Sequence, residues 1–204
     1  MPRMTTLGIF GGSFDPVHTG HLILAEQCRE KFAIDRIWFV PAARPPHKPG
    51  ATLASMKDRL DLLCLAVAGR PEFEVHDLES DREGHSYTVD TLRHVKSLTD
   101  DDLVFLMGAD SLADLPTWRD PAGIASLAQI AAVNRGFGDA TIPETLPPAV
   151  RDRITVVDMP ACGISASDVR RRVREGRSIR YLVPRPVELA IKDRQLYDDR
   201  TPEV

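Results

Sequence analysis

At 204 residues, 43% of them hydrophobic and 27% charged, the chain has the size and composition of a folded protein with a sizeable core. Its formal charge of −4 speaks against a nucleic-acid surface, which needs a basic excess, but leaves small anionic ligands open. The scattered cysteines Cys28, Cys64 and Cys162 form no C-x-x-C pair and suit a reducing compartment better than a disulfide framework.

The chain opens with an apolar run at 7–10 that is too short for a signal peptide and reads as a buried strand. This run leads into G-G-S-F-D-P-V-H-T-G-H at 11–21 and then a helix over 18–32, with Leu22, Ala25, Cys28 and Phe32 towards one face. Gly11 and Gly12 remove side chains where the backbone must bend and approach a ligand. A loop entering a helix offers free N–H donors and a positive dipole end, which suits phosphate. His18 and His21, three apart, can point the same way, and imidazole donates hydrogen bonds and carries charge near neutral pH. Gly20 between them is expected to leave room for a triphosphate. The string fits neither G-x-G-x-x-G nor a Walker A loop, and a metal site would need a third ligand that the neighbourhood lacks.

A strand over 36–40 comes next, then a proline-rich loop over 41–53 and a helix over 55–68 that turns Leu60, Leu63, Leu65 and Ala68 inward. Further strands read at 73–75, 103–107 and 129–133, with a helix over 88–96 that buries Val89, Leu92 and Val95. The longest mostly apolar stretch, 123–133, falls well short of the roughly 20 residues that span a bilayer. A long loop over 134–148 precedes a sixth, edge-like strand at 154–157. Strand–helix alternation at this spacing predicts an α/β fold, a Rossmann-like doubly wound parallel sheet of five to six strands. Ligands of such sheets bind beyond the strands' carboxyl ends, where the strand order reverses. The chain, 1–204, reads as one domain with a helical portion from about 165.

That portion opens with I-S-A-S-D-V-R at 164–170. Ser165 and Asp168 match a capping box, Arg170, Arg171, Arg172 and Arg174 follow, and Gly176 stops the helix. Serine hydroxyls, first-turn N–H groups and an arginine can clamp a triphosphate, although capping serines and solvated arginines alone would look the same.

Together the two segments resemble the nucleotidylyltransferase superfamily, marked by an H-x-G-H loop and an I-S-x-[ST]-x-[IV]-[RK] segment. From Gly8 to about Tyr197 the similarity is to bacterial nicotinate-nucleotide adenylyltransferases. It takes in P-P-H-K at 45–48, S-Y-T-V-D-T-L at 86–92, G-A-D-S-L at 108–112, P-T-W at 116–118 and Y-L-V-P at 181–184. Pantetheine-phosphate enzymes of the superfamily usually carry threonine at the first histidine and lysine where Arg170 stands. A nucleotide sensor without chemistry would be expected to lack the histidines or the clamp.

The resemblance implies adenylyl transfer from ATP to nicotinate mononucleotide, giving deamido-NAD and pyrophosphate in NAD biosynthesis, in the cytoplasm. Mg²⁺ would ride mainly on the ATP phosphates, with no metal site of the protein's own. His18 and His21 would be catalytic at the ATP phosphates, His21 stabilising charge on the reacting group. Gly11, Gly12, Ser13 and Phe14 would lie beside ATP, Gly108 and Asp110 at its adenosine end. Ile164, Ser165, Ser167 and Arg170 would hold the departing phosphates. On the acceptor side stand Asp15, Arg44, Lys48, Thr88, Trp118 and Arg135, with Trp118 stacked on the pyridine ring and Thr88 reading its carboxylate. Two positions depart from the family: Ser167 replaces the usual threonine, and R-G-F-G at 135–138 replaces R-P-G, a glycine expected to free that loop. Neither nucleic acid nor membrane is an expected partner, and a homo-oligomer is compatible with this reading.

Overall fold

The computed structural model describes residues 5–43, 54–80, 84–136 and 140–198. Six strands form one sheet: β1 (Thr6–Gly12), β2 (Arg36–Pro41), β3 (Phe73–Val75), β4 (Asp102–Gly108), β5 (Ala128–Asn134) and β6 (Ile154–Asp158). Their order is β3-β2-β1-β4-β5-β6, and every pairing is parallel. All six expected strands are present, and β6 lies at an edge as its short pattern suggested.

The strand sequences explain the layering. Side chains alternate between the faces of a strand, so Leu7 and Ile9 join one apolar cluster with Trp38, Val40, Leu103, Phe105 and Met107. Phe10, Ile37, Phe39, Val104 and Leu106 join the other. Both faces are covered, which is why these strands read as continuous apolar runs. Helices α1 (Thr19–Lys31) and α2 (Met56–Val67) cover the second face, with α6 (Ala166–Arg174) and α7 (Arg185–Asp193). Helices α3 (Thr88–Leu98), α4 (Pro121–Leu127) and the short α5 (Pro148–Arg151) cover the first.

Four details depart from the sequence reading. Helix α2 buries Arg59, Leu62, Leu63 and Val67, so the inward face is rotated from the one expected through Leu60, Leu65 and Ala68. An arginine takes an inward position there, which a hydrophobic pattern cannot show. The apolar stretch 123–133 divides into α4 and β5 with no loop between them. Helix α4 starts at Asp120, which accepts from the Gly123 N–H at 2.8 Å, followed by Pro121 at the first helical position. Helix α7 lies in the helical portion expected from about 165, where the sequence reading delimits no separate second helix, and its apolar stripe buries Val187 and Ile191. Finally, within the 134–148 loop Leu146 is buried and Ile142 packs against the core.

The C-terminal helical portion does begin and end as predicted. Ser165 caps α6 by accepting from the Asp168 N–H at 3.1 Å. The reciprocal half of the expected capping box is missing, because the Asp168 carboxylate pairs with Arg171 and Arg172 instead. Gly176, at φ +66°, closes the helix: its N–H bonds Val173 and the Arg177 N–H bonds Arg172, a Schellman pattern.

Candidate active site

The strand order reverses between β1 and β4, so the crevice beyond their carboxyl ends is where a ligand should bind. Two adjoining cavities open there. One, of about 370 Å³, is lined by Gly11 to Asp15, His18, His21, Gly108, Asp110, Arg135, Ser165, Ser167 and Arg170. The other, of about 190 Å³, is lined by Tyr87, Thr88, Trp118, Arg119, Phe105 and Glu79 among others. Gly11, Gly12, Ser13 and Ser111 line both, so the cavities are two compartments of one cleft.

The larger compartment is where the helix entries of α1 and α6 converge. Helix α1 has no acidic residue in its first turn, and the Asp168 charge in α6 is drawn off by Arg171 and Arg172. Both positive dipole ends therefore remain available to an anion. The Ser165 hydroxyl accepts from the Asp168 N–H and keeps its own proton for another acceptor. Ser167 lies within 3.4 Å of the Arg170 guanidinium, so these groups form one cluster of donors.

His21 is held in one orientation. Its Nδ1 accepts from the His18 N–H at 3.1 Å, which assigns the imidazole proton of the neutral ring to Nε2. The His18 ring stacks on it at 3.7 Å, and Phe10 and Phe14 meet it edge-on at 5.9 and 5.0 Å. His18 is itself buried, and burial together with the Arg135 charge lowers its pKa from 6.5 to about 4. At neutral pH His18 is an uncharged neighbour of His21, and its Nδ1 is a buried atom with no hydrogen-bond partner among the described residues. Gly20 lines the larger compartment, and the packing around it leaves no room for a side chain. A Cβ there would come within 3.1 Å of His18 Nδ1 and of Cys162 Sγ.

Several expected site residues play other parts than those first assigned. Phe14 lines the cavity through its backbone, since its ring is buried against Phe10 and Phe39. Its φ of +44° is unusual for a bulky residue and is held by that packing. Ile164 packs against the core and is not among the cavity-lining residues. Asp15 is 1% exposed and turns its carboxylate inward, to the Tyr197 hydroxyl and the Ala54 N–H. Arg135 lies in the larger compartment, ion-paired to Asp110, and not in the pocket of Thr88 and Trp118. Strand β5 lies beyond β4, on the far side from that pocket's β2 wall, which is why its end cannot reach there. Gly136 sits at φ +81°, and a Cβ would come within 2.8 Å of Ala161, so the position admits neither proline nor any larger side chain without strain. Arg44 and Lys48 lie outside the described residues.

In the smaller compartment the N-terminus of α3 presents Ser86, Tyr87 and Thr88. Trp118 follows a single helical turn, Leu115–Thr117, and meets Phe105 edge-on at 6.1 Å. Sequence reasoning missed three residues here. Glu79 is a buried carboxylate that accepts from Thr91 Oγ1 at 2.6 Å and from the Ala43 N–H at 3.3 Å, pinning its loop to α3 and to the end of β2. Arg119 lies over the Tyr87 ring at 4.7 Å and pairs with Asp90 at 3.2 Å. Tyr87 and Arg119 adjoin recognised motifs, whereas nothing in the spacing marks Glu79. Below the cleft, Arg59 also went unnoticed: its Nη1 donates to the Ser13 and Ala42 carbonyls at 2.8 and 2.9 Å, joining the phosphate loop to β2.

Residues 9–172 match the family model described as cytidylyltransferase-like. The chain is 46% identical, over 95% of its length and 92% of the relative, to a Thermomicrobium roseum protein named probable nicotinate-nucleotide adenylyltransferase. The chain belongs to the nicotinate-nucleotide adenylyltransferase family. A Thermus thermophilus member with the same name is 45% identical over 94% of this chain and 98% of its own. The fold is shared more widely. The Plasmodium falciparum nicotinic acid mononucleotide adenylyltransferase solved with NaAD superposes with a TM-score of 0.77 at 19% identity, covering 96% of this chain and 98% of that one.

Proposed function

We propose that this family member transfers the adenylyl group of ATP to nicotinate mononucleotide, releasing pyrophosphate and forming deamido-NAD for NAD biosynthesis. The observation that carries the reading is the convergence of the α1 and α6 entries on one cavity that opens into an aromatic-walled pocket. The larger compartment suits the triphosphate and the smaller the pyridine nucleotide, and their shared wall at Gly11, Gly12, Ser13 and Ser111 suits the point where the two phosphates meet.

The acceptor phosphate is already a competent nucleophile, so alignment and charge stabilisation supply the acceleration. It attacks the α-phosphorus in line, one P–O bond forms as the bond to pyrophosphate breaks, and no covalent enzyme intermediate is needed. His21 donates from Nε2 to the reacting phosphoryl oxygens, in a geometry fixed before substrate arrives. His18 buttresses that ring, and the Gly11–Gly12–Ser13–Phe14 backbone faces the phosphates. Ser165, Ser167 and Arg170 hold the departing pyrophosphate, while Gly108 and Asp110 lie towards adenosine. On the acceptor side Trp118 offers an aromatic face to the pyridine ring, and Thr88 with the first amides of α3 receives its carboxylate. Lys48 and Arg44 complete the phosphate charge balance.

Mg²⁺ belongs to the same proposal. Among the described residues no group of three His, Cys, Asp or Glu side chains is placed to hold a metal, and the cavity presents hydrogen-bond donors to phosphate. The ion would be carried mainly by the ATP phosphates and water, where it would supply charge neutralisation for the leaving group. A cytoplasmic setting accompanies this reading, and among the described residues no helix is long and apolar enough to cross a membrane. The decisive experiment compares pyrophosphate release with nicotinate mononucleotide, nicotinamide mononucleotide and phosphopantetheine as acceptors. Turnover should be fastest with the first, and preference for phosphopantetheine would overturn the assignment.

A further inference from the structure

The phosphate compartment rests on a buried ionisable cluster that the reaction does not consume. Asp15, Arg59 and Tyr197 are 1, 2 and 8% exposed and come from the first loop, α2 and the turn after α7. The Tyr197 hydroxyl donates to Asp15 Oδ1 at 2.7 Å, across 182 residues of sequence. The Ala54 N–H donates to the same oxygen at 3.3 Å. Asp15 also faces the clamp: Arg170 Nη1 donates to its carbonyl oxygen at 2.5 Å and lies 3.9 Å from its Oδ2. Arg59 ties the neighbouring Ser13 carbonyl from the same side. One carboxylate thus faces two guanidinium groups, and the phenol supplies a short neutral hydrogen bond to it.

We propose that Tyr197 is a positioning residue for the triphosphate site, acting through Asp15 on Arg170. A buried carboxylate needs its full set of donors. With the phenol in place, Oδ1 is satisfied within the core, and the Arg170 guanidinium is held at the backbone carbonyl with its remaining donors towards Ser167 and the cavity. Without the phenol, the carboxylate recovers its missing donor from Arg170, which is the nearby cation free to approach, and withdraws that side chain from the phosphates. Burial and the Asp15 charge both push the Tyr197 phenol up, so it remains a donor throughout the working pH range. The turn after α7 therefore sets a site made near the start of the chain. Helix α7 is anchored for that task by Arg194, which pairs with Asp58 and Asp61 of α2 at 3.0 and 2.9 Å.

The inference rests on Arg170 being a phosphate ligand, as proposed above. The test is Tyr197→Phe in the full chain, which keeps the ring and deletes the hydroxyl. The KM for ATP should rise about five- to tenfold, the scale of one ordinary hydrogen bond, since the effect reaches the phosphates only through Arg170, with the KM for nicotinate mononucleotide changed less than twofold. In an Arg170→Lys background the same substitution should cost less than twofold, because it acts through the arginine. An unchanged KM for ATP, a loss confined to kcat and matched by the folded fraction, or a full penalty without Arg170 would each overturn the proposal. Calorimetric titration with ATP alone, without acceptor, separates the two readings. If the parent chain fails to turn over nicotinate mononucleotide the functional assignment falls, whereas equal ATP affinity of parent and variant sinks the role of Tyr197.

Discussion

The two compartments of the cleft are built in different ways. The phosphate side is made from helix entries, loop backbone and short donors, drawn mainly from two strings at 10–24 and 165–170. The acceptor side is assembled from single side chains on β2, the loop before α3, β4 and the turn that carries Trp118. Phosphate presents oxygens in every direction and is satisfied by amides and dipole ends, which contiguous chain supplies. A flat ring with one carboxylate needs an aromatic face and a directed donor, and no single segment can place both. Donor recognition is therefore compact in sequence and acceptor recognition is dispersed.

The sharpest way to break this comparison is His21→Ala. It should lower kcat by roughly 10²-fold or more in a pyrophosphate-release assay, the scale of losing one preorganised transition-state donor. An unchanged kcat would remove His21 from the chemistry. Trp118→Ala should raise the KM for the mononucleotide by about tenfold and leave that for ATP nearly constant, since stacking on an aromatic face contributes on the order of 1 kcal/mol beyond area burial. If ATP affinity fell instead, the division into compartments would be wrong. The remaining prediction concerns stability rather than turnover. The His18 pKa is lowered to about 4 in the folded protein, so between pH 6.5 and 4 the unfolded chain takes up a proton that the folded one refuses. Stability from this source is complete above pH 6.5 and is lost as pH falls towards 4, by about 3 kcal/mol in all. His18→Asn should flatten the fall in Tm across that window by several degrees, and parallel curves for parent and variant would show that His18 does not govern it.

The pattern of what could be read from residues follows the same division. Gly11 to His21 and Ser165 to Arg170 were legible because turn chemistry, helix entry and donor groups lie within a few residues of one another. Helix α3 was legible because Val89, Leu92 and Val95 repeat at helical spacing. Helix α2 was legible in its extent but not in its inward face, since buried Arg59 occupies a position that hydrophobicity assigns to the outside. Glu79 stayed hidden for a related reason: a carboxylate in a polar loop looks solvated until Thr91 and the Ala43 amide are seen to enclose it. Gly136 shows another limit, since only the fold reveals the positive φ and the nearness of Ala161 that require glycine there.

Strand alternation and the two helix entries with their donor groups follow from residues that act on near neighbours, so the amino-acid order alone determined them. The meeting of those entries at one crevice depends on the β1–β4 junction, and on side chains nearly two hundred positions apart. Tyr197 reaching Asp15, Arg135 falling in the larger compartment instead of the pocket of Thr88 and Trp118, and Phe14 turning its ring into the core are matters of packing between distant segments. Such contacts are selected by which surfaces the folded sheet brings together and by which buried charges then need partners, and no local pattern encodes that choice.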